Sequence, residues 1–274
     1  MSDYSLNETK TMEEKKVALI TGASAGLGKE LARIHAERGG DLVIVARRED
    51  KLILLKDELE KEHGINVIIL VKDLSDPEAS KEVYQEVKQR GIQVDYLINN
   101  AGFGEVGKFY ELELTQQLNM INLNISALTA LTHLFLQDFR ERNSGRILNL
   151  SSIASLLPGP LQAVYYATKA YVTSFSNAVA EELHDTAITG TNLMPGATAT
   201  EFASLSGMDK TELFDKPADA RKVAEEGYKS MLKGKLDVLS GLTIAQRVMM
   251  SMVPLVPKKI LLPQVRKMQS IKGE

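Results

Sequence analysis

The chain has 274 residues, 44% of them hydrophobic and 25% charged, with a formal net charge of -3. That balance fits a globular protein able to bury a sizeable core, and it offers no electrostatic case for binding nucleic acid. The absence of cysteine excludes disulfides, thiol nucleophiles and thiolate metal sites. The four histidines (His35, His63, His133, His184) show no pairing at metal-ligand spacing, so no metal site is expected and each reads as an ordinary surface or helix histidine. Residues 1–15 are polar and lack the apolar core of a secretory signal, and they read as a disordered lead-in to one domain over 16–274. No run approaches the ~18–20 apolar residues of a membrane span, and a cytoplasmic location is expected.

In chain order, VALIT (17–21) reads as a buried strand, followed by a glycine-rich turn and a helix that stops at Gly39-Gly40. DLVIVARR is a second strand, and KLILLKDELEKEHG a helix with Leu52, Leu55 and Leu59 on one face. NVIILVKDL is a third strand, a helix starts at Pro77, and VDYLINNAG is a fourth strand. A long helical region is expected over 112–141, then the strand GRILNLSS, a helix over 164–184 and the strand ITGTNLMPG. Beyond these, 201–216 reads as a loop or short helices, 217–233 as a helix and LDVLSG as a seventh strand. The C-terminal extension, 243–274, gives no clear reading. Strands alternating with helices imply an α/β, doubly wound Rossmann-type fold, with about seven parallel strands and helices on both faces.

The turn Gly22-Ala23-Ser24-Ala25-Gly26-Leu27-Gly28 joins the first strand to a helix. Glycines let phosphates approach the backbone, and a helix N-terminus supplies free N–H groups. Gly22, Ser24, Gly26, Leu27 and Gly28 are therefore expected to hold a dinucleotide. The second strand ends in Ala46-Arg47-Arg48, with no carboxylate for a ribose 2'-hydroxyl. Guanidinium forks suit a 2'-phosphate. NADP(H) is therefore the expected cofactor, with Arg47 as the contact and Arg48 as support or surface charge.

Tyr165 and Lys169 are four residues apart, on one face of a helix, whereas the residue four past Tyr166 is Ala170. An ammonium near a phenol favours the phenolate, which makes Tyr165 a candidate general acid or base with a lowered pKa.

Together these residues resemble the short-chain dehydrogenase/reductase family, in its branch of shorter enzymes. The resemblance rests on T-G-A-S-A-G-L-G (Thr21 to Gly28), N-N-A-G (Asn99 to Gly102), the aspartate of V-K-D-L, M-I-N-L-N, Ser152 thirteen residues before Tyr165, and Pro195-Gly196 with Thr200. It implies Asn122, Ser152, Tyr165 and Lys169 as the catalytic set, with Ser151 structural. It adds Asp73, Leu74, Asn100, Ala101, Gly102, Pro195, Gly196, Thr198 and Thr200 to the cofactor contacts, together with Tyr165 and Lys169 themselves. One departure is Ala25, where some NADP-using members carry a basic residue. NNAGFGEVGKF and the long C-terminal region look like a bacterial subgroup of broad reductases.

The implied reaction is hydride transfer between nicotinamide and a carbonyl or alcohol carbon. Tyr165 handles the proton, Ser152 positions the oxygen, Lys169 tunes the tyrosine and Asn122 holds a water. The loops 103–109, 156–164 and 201–216 contain Phe103, Leu156, Leu157, Leu161, Phe202, Leu205 and Met208, and suggest a partly apolar substrate pocket beneath a lid at 201–216. A homodimer or homotetramer through the helices at 112–141 and 164–184 is expected by analogy. A catalytically silent NADP(H)-binding regulator of the same fold, an interaction module, and an epimerase or lyase using the same tyrosine remain alternatives.

Overall fold

Seven short, mostly apolar segments become the strands of one parallel sheet in the computed structural model of the chain, which describes residues 15–270. They are β1 (Val17–Thr21), β2 (Asp41–Ala46), β3 (Val67–Val71), β4 (Tyr96–Asn99), β5 (Gly145–Leu150), β6 (Ile188–Pro195) and β7 (Asp237–Ser240). Their spatial order is β3-β2-β1-β4-β5-β6-β7, and every pairing is parallel. The order reverses between β1 and β4, which opens a crevice at the carboxyl ends of those strands.

The connecting helices are α1 (Gly26–Ala36), α2 (Glu49–His63), α3 (Ala79–Gln89), α4 (Leu114–Ile121), α5 (Leu128–Glu141), α6 (Ala163–Glu182), α7 (Glu201–Ser206), α8 (Ala220–Leu232), α9 (Ile244–Met252) and α10 (Lys258–Gln269). Side chains alternate across a strand, so each strand feeds two cores. β1 sends Ala18 and Ile20 to the side where α1, α2 and α8 bury Leu31, Leu52 and Tyr228. It sends Leu19 to the other side, against Val83 of α3 and Phe135 of α5. Each valine, leucine, isoleucine or phenylalanine among these contributes about 1.5–3 kcal/mol on burial. The α2 stripe ends at Gly64, whose φ of +62 makes the left-handed cap that stops a helix.

His35 is not an ordinary surface or helix histidine. It is 2% exposed. Its ring nitrogens lie 2.7 Å from the Tyr228 hydroxyl and 2.9 Å and 3.0 Å from the carbonyls of Lys16 and Asp41. Burial lowers its pKa, so it serves as a neutral clasp between α1, α8 and the sheet.

Several boundaries differ from expectation. The third helix starts at Ala79 rather than Pro77, because the Asp76 carboxylate accepts the Glu78 N–H (3.0 Å) and holds a turn there. The region 112–141 carries a π-helical segment, Asn122–Ala127, between α4 and α5. Helix α8 starts at Ala220, capped by Asp219, whose side chain accepts the Lys222 N–H at 2.9 Å. The C-terminal extension forms two helices. Thr243 and Gln246 make a capping box that starts α9, and α10 follows Pro257. No residue of α9 is buried, and Arg247 reaches back to Glu226 of α8 at 3.2 Å. The lead-in expected over 1–15 lies, apart from Lys15, outside the described residues. Among the described residues, no helix is long and apolar enough to cross a membrane and no cluster suits a metal ion.

Candidate active site

The crevice floor is the turn between β1 and α1. Gly28 has no room for a side chain: a Cβ there would stand 2.4 Å from both the Asn100 amide nitrogen and the Gly22 carbonyl oxygen. Gly26 has a φ of +54 and lies under Thr200, whose Cβ is 3.1 Å from where a Gly26 Cβ would be. The α1 N-terminus has no side-chain cap, since Ala25 occupies that position, and its first turn holds no carboxylate. Leu27 packs its side chain into the core beside α1. These features fit a diphosphate set on free N–H groups.

The N-N-A-G segment is sewn to this turn. Thr21 Oγ1 accepts the N–H groups of Asn100 and Ala101, both at 3.0 Å. Asn100 donates to the carbonyls of Thr21 (2.8 Å) and Gly22 (3.2 Å). Asn99 spans the buried sheet centre, donating to Thr132 (3.0 Å) and Asn149 (2.9 Å).

At the tip of β2 the two arginines diverge. Arg47 is largely exposed and stands 3.7 Å from Asp73. Burial works against the Asp73 carboxylate, but hydrogen bonds from Ser75 and the Arg47 charge hold its pKa below the ordinary value. Leu74, the next residue, is buried among the α3 and α5 core residues. Arg48 reaches the glycine turn itself, donating to Ser24 Oγ (3.2 Å) and to Glu201 of α7 (2.8 Å). The residue read as support or surface charge is thus the one in contact with the cradle. After a strand, successive side chains point to opposite sides, and Arg48 is on the crevice side.

The reacting groups sit on the opposite wall. Ser151 is structural: its hydroxyl donates to the Lys169 carbonyl (2.9 Å) and lies 2.8 Å from the Thr173 hydroxyl. Ser152 accepts the Ala154 N–H (3.1 Å), donates weakly to the Pro195 carbonyl (3.5 Å) and faces Tyr165. Lys169 is 6% exposed. Its Nζ donates to the Leu150 carbonyl at 2.7 Å and stands 5.9 Å from the Tyr165 ring centroid.

The lowered phenol pKa expected from Lys169 is not found. Burial pushes Tyr165 up to about 12, with the Ser152 hydroxyl pulling the other way. Burial likewise brings Lys169 down to about 8. The lysine charge faces a carbonyl and the ring face, so desolvation dominates both groups.

Asn122 is half-buried, and no side-chain hydrogen bond links it to another described residue. Asn124, two residues on, is the asparagine turned toward Lys169. It is 1% exposed, and its amide donates to the Phe103 carbonyl (2.9 Å) and to Thr168 Oγ1 (3.0 Å). A Cβ on Gly102 would stand 2.9 Å from Asn124 Oδ1 and 3.5 Å from Lys169 Nζ, so Gly102 marks where the two converge. The burial rhythm Gln117, Met120, Asn124, Ala127, Leu131 places Asn124 on the inner stripe of this helix and Asn122 off it. That phase was the signal available in the sequence. The π-helical segment that contains both is a feature found often at functional sites.

The remaining wall comes from the end of β6. Gly196 donates to the Ser240 carbonyl (2.9 Å), Thr198 Oγ1 donates to the Gly196 carbonyl (2.9 Å), and Thr200, just before α7, lies over the glycine turn. Phe103, Val106, Leu157, Val164, Phe202 and Phe214 pack around Met120, Tyr165, Tyr166 and Met208 as an apolar wall. Val106 N–H donates to the Ser206 carbonyl (3.1 Å) and Gly107 N–H to the Leu161 carbonyl (2.8 Å), which ties the three expected substrate loops together. Leu205 does not join them. It is 78% exposed, because the turn of α7 directs Phe202, Ala203 and Ser206 inward.

A dinucleotide cradle at a topological switch point, facing a serine, a tyrosine and a lysine, defines a hydride-transfer oxidoreductase. A family model described as short chain dehydrogenase matches residues 16–210, and the chain belongs to the short-chain dehydrogenase/reductase family. It is 32% identical over 222 residues to the very-long-chain 3-oxoacyl-CoA reductase of Mus musculus, covering 79% of this chain and 67% of that one. It is 33% identical over 187 residues to the uncharacterized oxidoreductase YvaG of Bacillus subtilis, covering 68% and 69%. Another curated relative, a short chain dehydrogenase of Pseudocercospora fijiensis, is matched over only 62% of its length. Among solved structures, a short-chain dehydrogenase from Sphingobium yanoikuyae in complex with NADPH superposes with a TM-score of 0.79 at 28% identity, covering 94% of this chain and 100% of that one. A bulky-bulky ketone specific alcohol dehydrogenase from Comamonas testosteroni gives 0.77 at 25% identity, covering 95% and 98%.

Proposed function

We propose that this chain reduces a ketone or aldehyde with NADPH, or runs the reverse oxidation, on a substrate that is at least partly apolar. The observation that carries the reading is the convergence of Ser152, Tyr165 and Lys169 on the crevice that holds the glycine turn. The cradle of Gly22, Gly26 and Gly28 and the uncapped α1 N-terminus suit the diphosphate. Arg48 on Ser24, Arg47 beside Asp73, and the lack of a carboxylate at Ala46 favour a 2'-phosphate over a free ribose hydroxyl. The NADPH-bound Sphingobium relative supports that choice.

When bound, NADPH supplies the hydride. Tyr165 Oη gives its proton to the carbonyl oxygen as the carbon is reduced, and Ser152 Oγ orients that oxygen. Protonated Lys169 Nζ stabilises the phenolate left behind, which needs it more because burial, even against the Ser152 hydrogen bond, holds the phenol at about 12. Asn124 fixes the Phe103 loop that lies beside both. The apolar wall excludes water and favours carbonyl compounds with a hydrocarbon body. Exposed Leu114, Leu118 and Tyr171 on α4 and α6 support association into a homodimer or homotetramer.

The test is an NADPH-oxidation assay against aldehydes, ketones, diketones, quinones and 3-oxoacyl thioesters. Turnover that disappears in Tyr165→Phe supports the reading. Measurable NADPH binding with no turnover on any of them favours the silent regulator.

A further inference from the structure

Helix α9 turns an apolar stripe to the outside. Its apolar residues Ile244, Val248 and Met252 recur every fourth position, which lines them along one face. They are 83%, 55% and 55% exposed, and Leu255 just beyond is 80% exposed. None of the helix's residues is buried, and it is held to the protein through Arg247, about 100° round the helix from Val248, which bonds Glu226 of α8. A helix on a water-facing protein surface normally shows the reverse arrangement.

The segment's own charged side chains have one sign, although Glu226 of α8 pairs with Arg247. Residues 243–270 contain Arg247, Lys258, Lys259, Arg266 and Lys267 and no carboxylate, in a chain whose net charge is -3. Lys258 and Lys259 stand at the start of α10, next to the stripe, and have no ion-pair partner among the described residues. A second copy is a poor occupant, since a two-fold interface pairs this patch with itself, and the patch has no carboxylate to offer its lysines. An anionic lipid surface offers both matching features, headgroups for the lysines and an acyl boundary for the stripe.

We propose that α9 and the start of α10 dock this protein on the surface of a bilayer containing anionic lipid. Helix α10 packs on the Glu212–Phe214 turn, whose Phe214 belongs to the apolar wall of the active site. The docked face is therefore the lid side of the molecule. The proposal goes beyond the reductase reading and does not depend on it.

The experiment is co-sedimentation of the full chain with vesicles of phosphatidylcholine alone or mixed with phosphatidylserine, each with and without NADPH. Binding is expected to the mixed vesicles only, and to fall with added salt. Lys258→Gln and Lys259→Gln should each weaken it about fivefold. Val248→Ser with Met252→Ser should release the protein while leaving its circular dichroism and melting temperature unchanged. Failure of the unaltered chain to sediment with mixed vesicles overturns the proposal, as does undiminished binding by the double variant or equal binding to phosphatidylcholine alone. A dimer in sedimentation velocity that the double variant dissolves, without vesicle binding, assigns the stripe to a second copy instead.

Discussion

Asn124 holds both backbone groups of Phe103: its amide donates to the carbonyl at 2.9 Å, and its Oδ1 accepts the N–H at 3.1 Å. A single side chain thus closes the loop after β4 as a neighbouring strand would. Asn124→Ala leaves both groups unpaired and also strips Thr168 of a donor. It should cost about 2–3 kcal/mol in chemical denaturation and reduce turnover at least about tenfold. Asn122→Ala, which removes no such bond, should stay within about 0.5 kcal/mol. A larger loss from Asn122→Ala than from Asn124→Ala would reverse the assignment.

Tyr165→Phe removes one oxygen and leaves the ring packing with Phe202, 5.6 Å away, in place. Loss of a general acid should lower kcat by about 10²–10⁴. NADPH affinity, read by fluorescence titration, should change little, because the glycine cradle and the arginines are untouched.

Cofactor choice should depend more on Arg48 than on Arg47. Arg48 is fixed on Ser24, whereas the Arg47 side chain is 69% exposed. Arg48→Ala should weaken NADPH binding by about 1.5–3 kcal/mol, the range for a charge-assisted hydrogen bond, with NADH almost unaffected. Arg47→Asp should act in the same direction with a smaller effect. An equal loss for both cofactors would count against a 2'-phosphate site.

Lys169 makes the cofactor-free protein sensitive to alkaline pH. Its folded pKa is about 8, below the ordinary 10.5. Between those values the unfolded chain binds the extra proton, so stability rises as pH climbs through that window. Lys169→Met should abolish the rise and, near pH 7, stabilise the free protein by on the order of 2 kcal/mol. Above about pH 10 the raised phenol of Tyr165 works the other way, since the unfolded tyrosine loses its proton first. Melting curves of both proteins from pH 7 to 10 in the absence of NADPH check this, and parallel curves would refute it.

The sheet was readable in the sequence because both of its faces are covered, which makes strands such as Leu42–Val45 unbroken apolar runs. That Ser152 faces Tyr165 while Ser151 turns to Lys169 and Thr173 was readable too, through their spacing to Tyr165. What escaped depended on direction in space. Asn122 and Asn124 differ by about 200° around a helix, and only the phase of their buried neighbours separates them. Arg47 and Arg48 differ by which side of a strand end they leave. The effect of Lys169 on Tyr165 was outweighed by the burial of both groups, which no spacing reveals. The helices α9 and α10 were obscured by Pro254, Pro257 and Pro263, and by an apolar stripe with no core to face.

The position of β1 in the sheet also bears on how the chain reaches its fold. β1 pairs with β2 on one side and, on the other, with β4, which begins at Tyr96. As the chain leaves the ribosome, the open edge of β1 is uncovered until that distant strand arrives, and β4 in turn waits for β5 at Gly145. Pairing of this kind between distant segments is slow, and it exposes sticky strand edges to other chains while it waits. Refolding yield should therefore fall steeply with protein concentration, and synthesis from the N-terminus should fare better than dilution from denaturant.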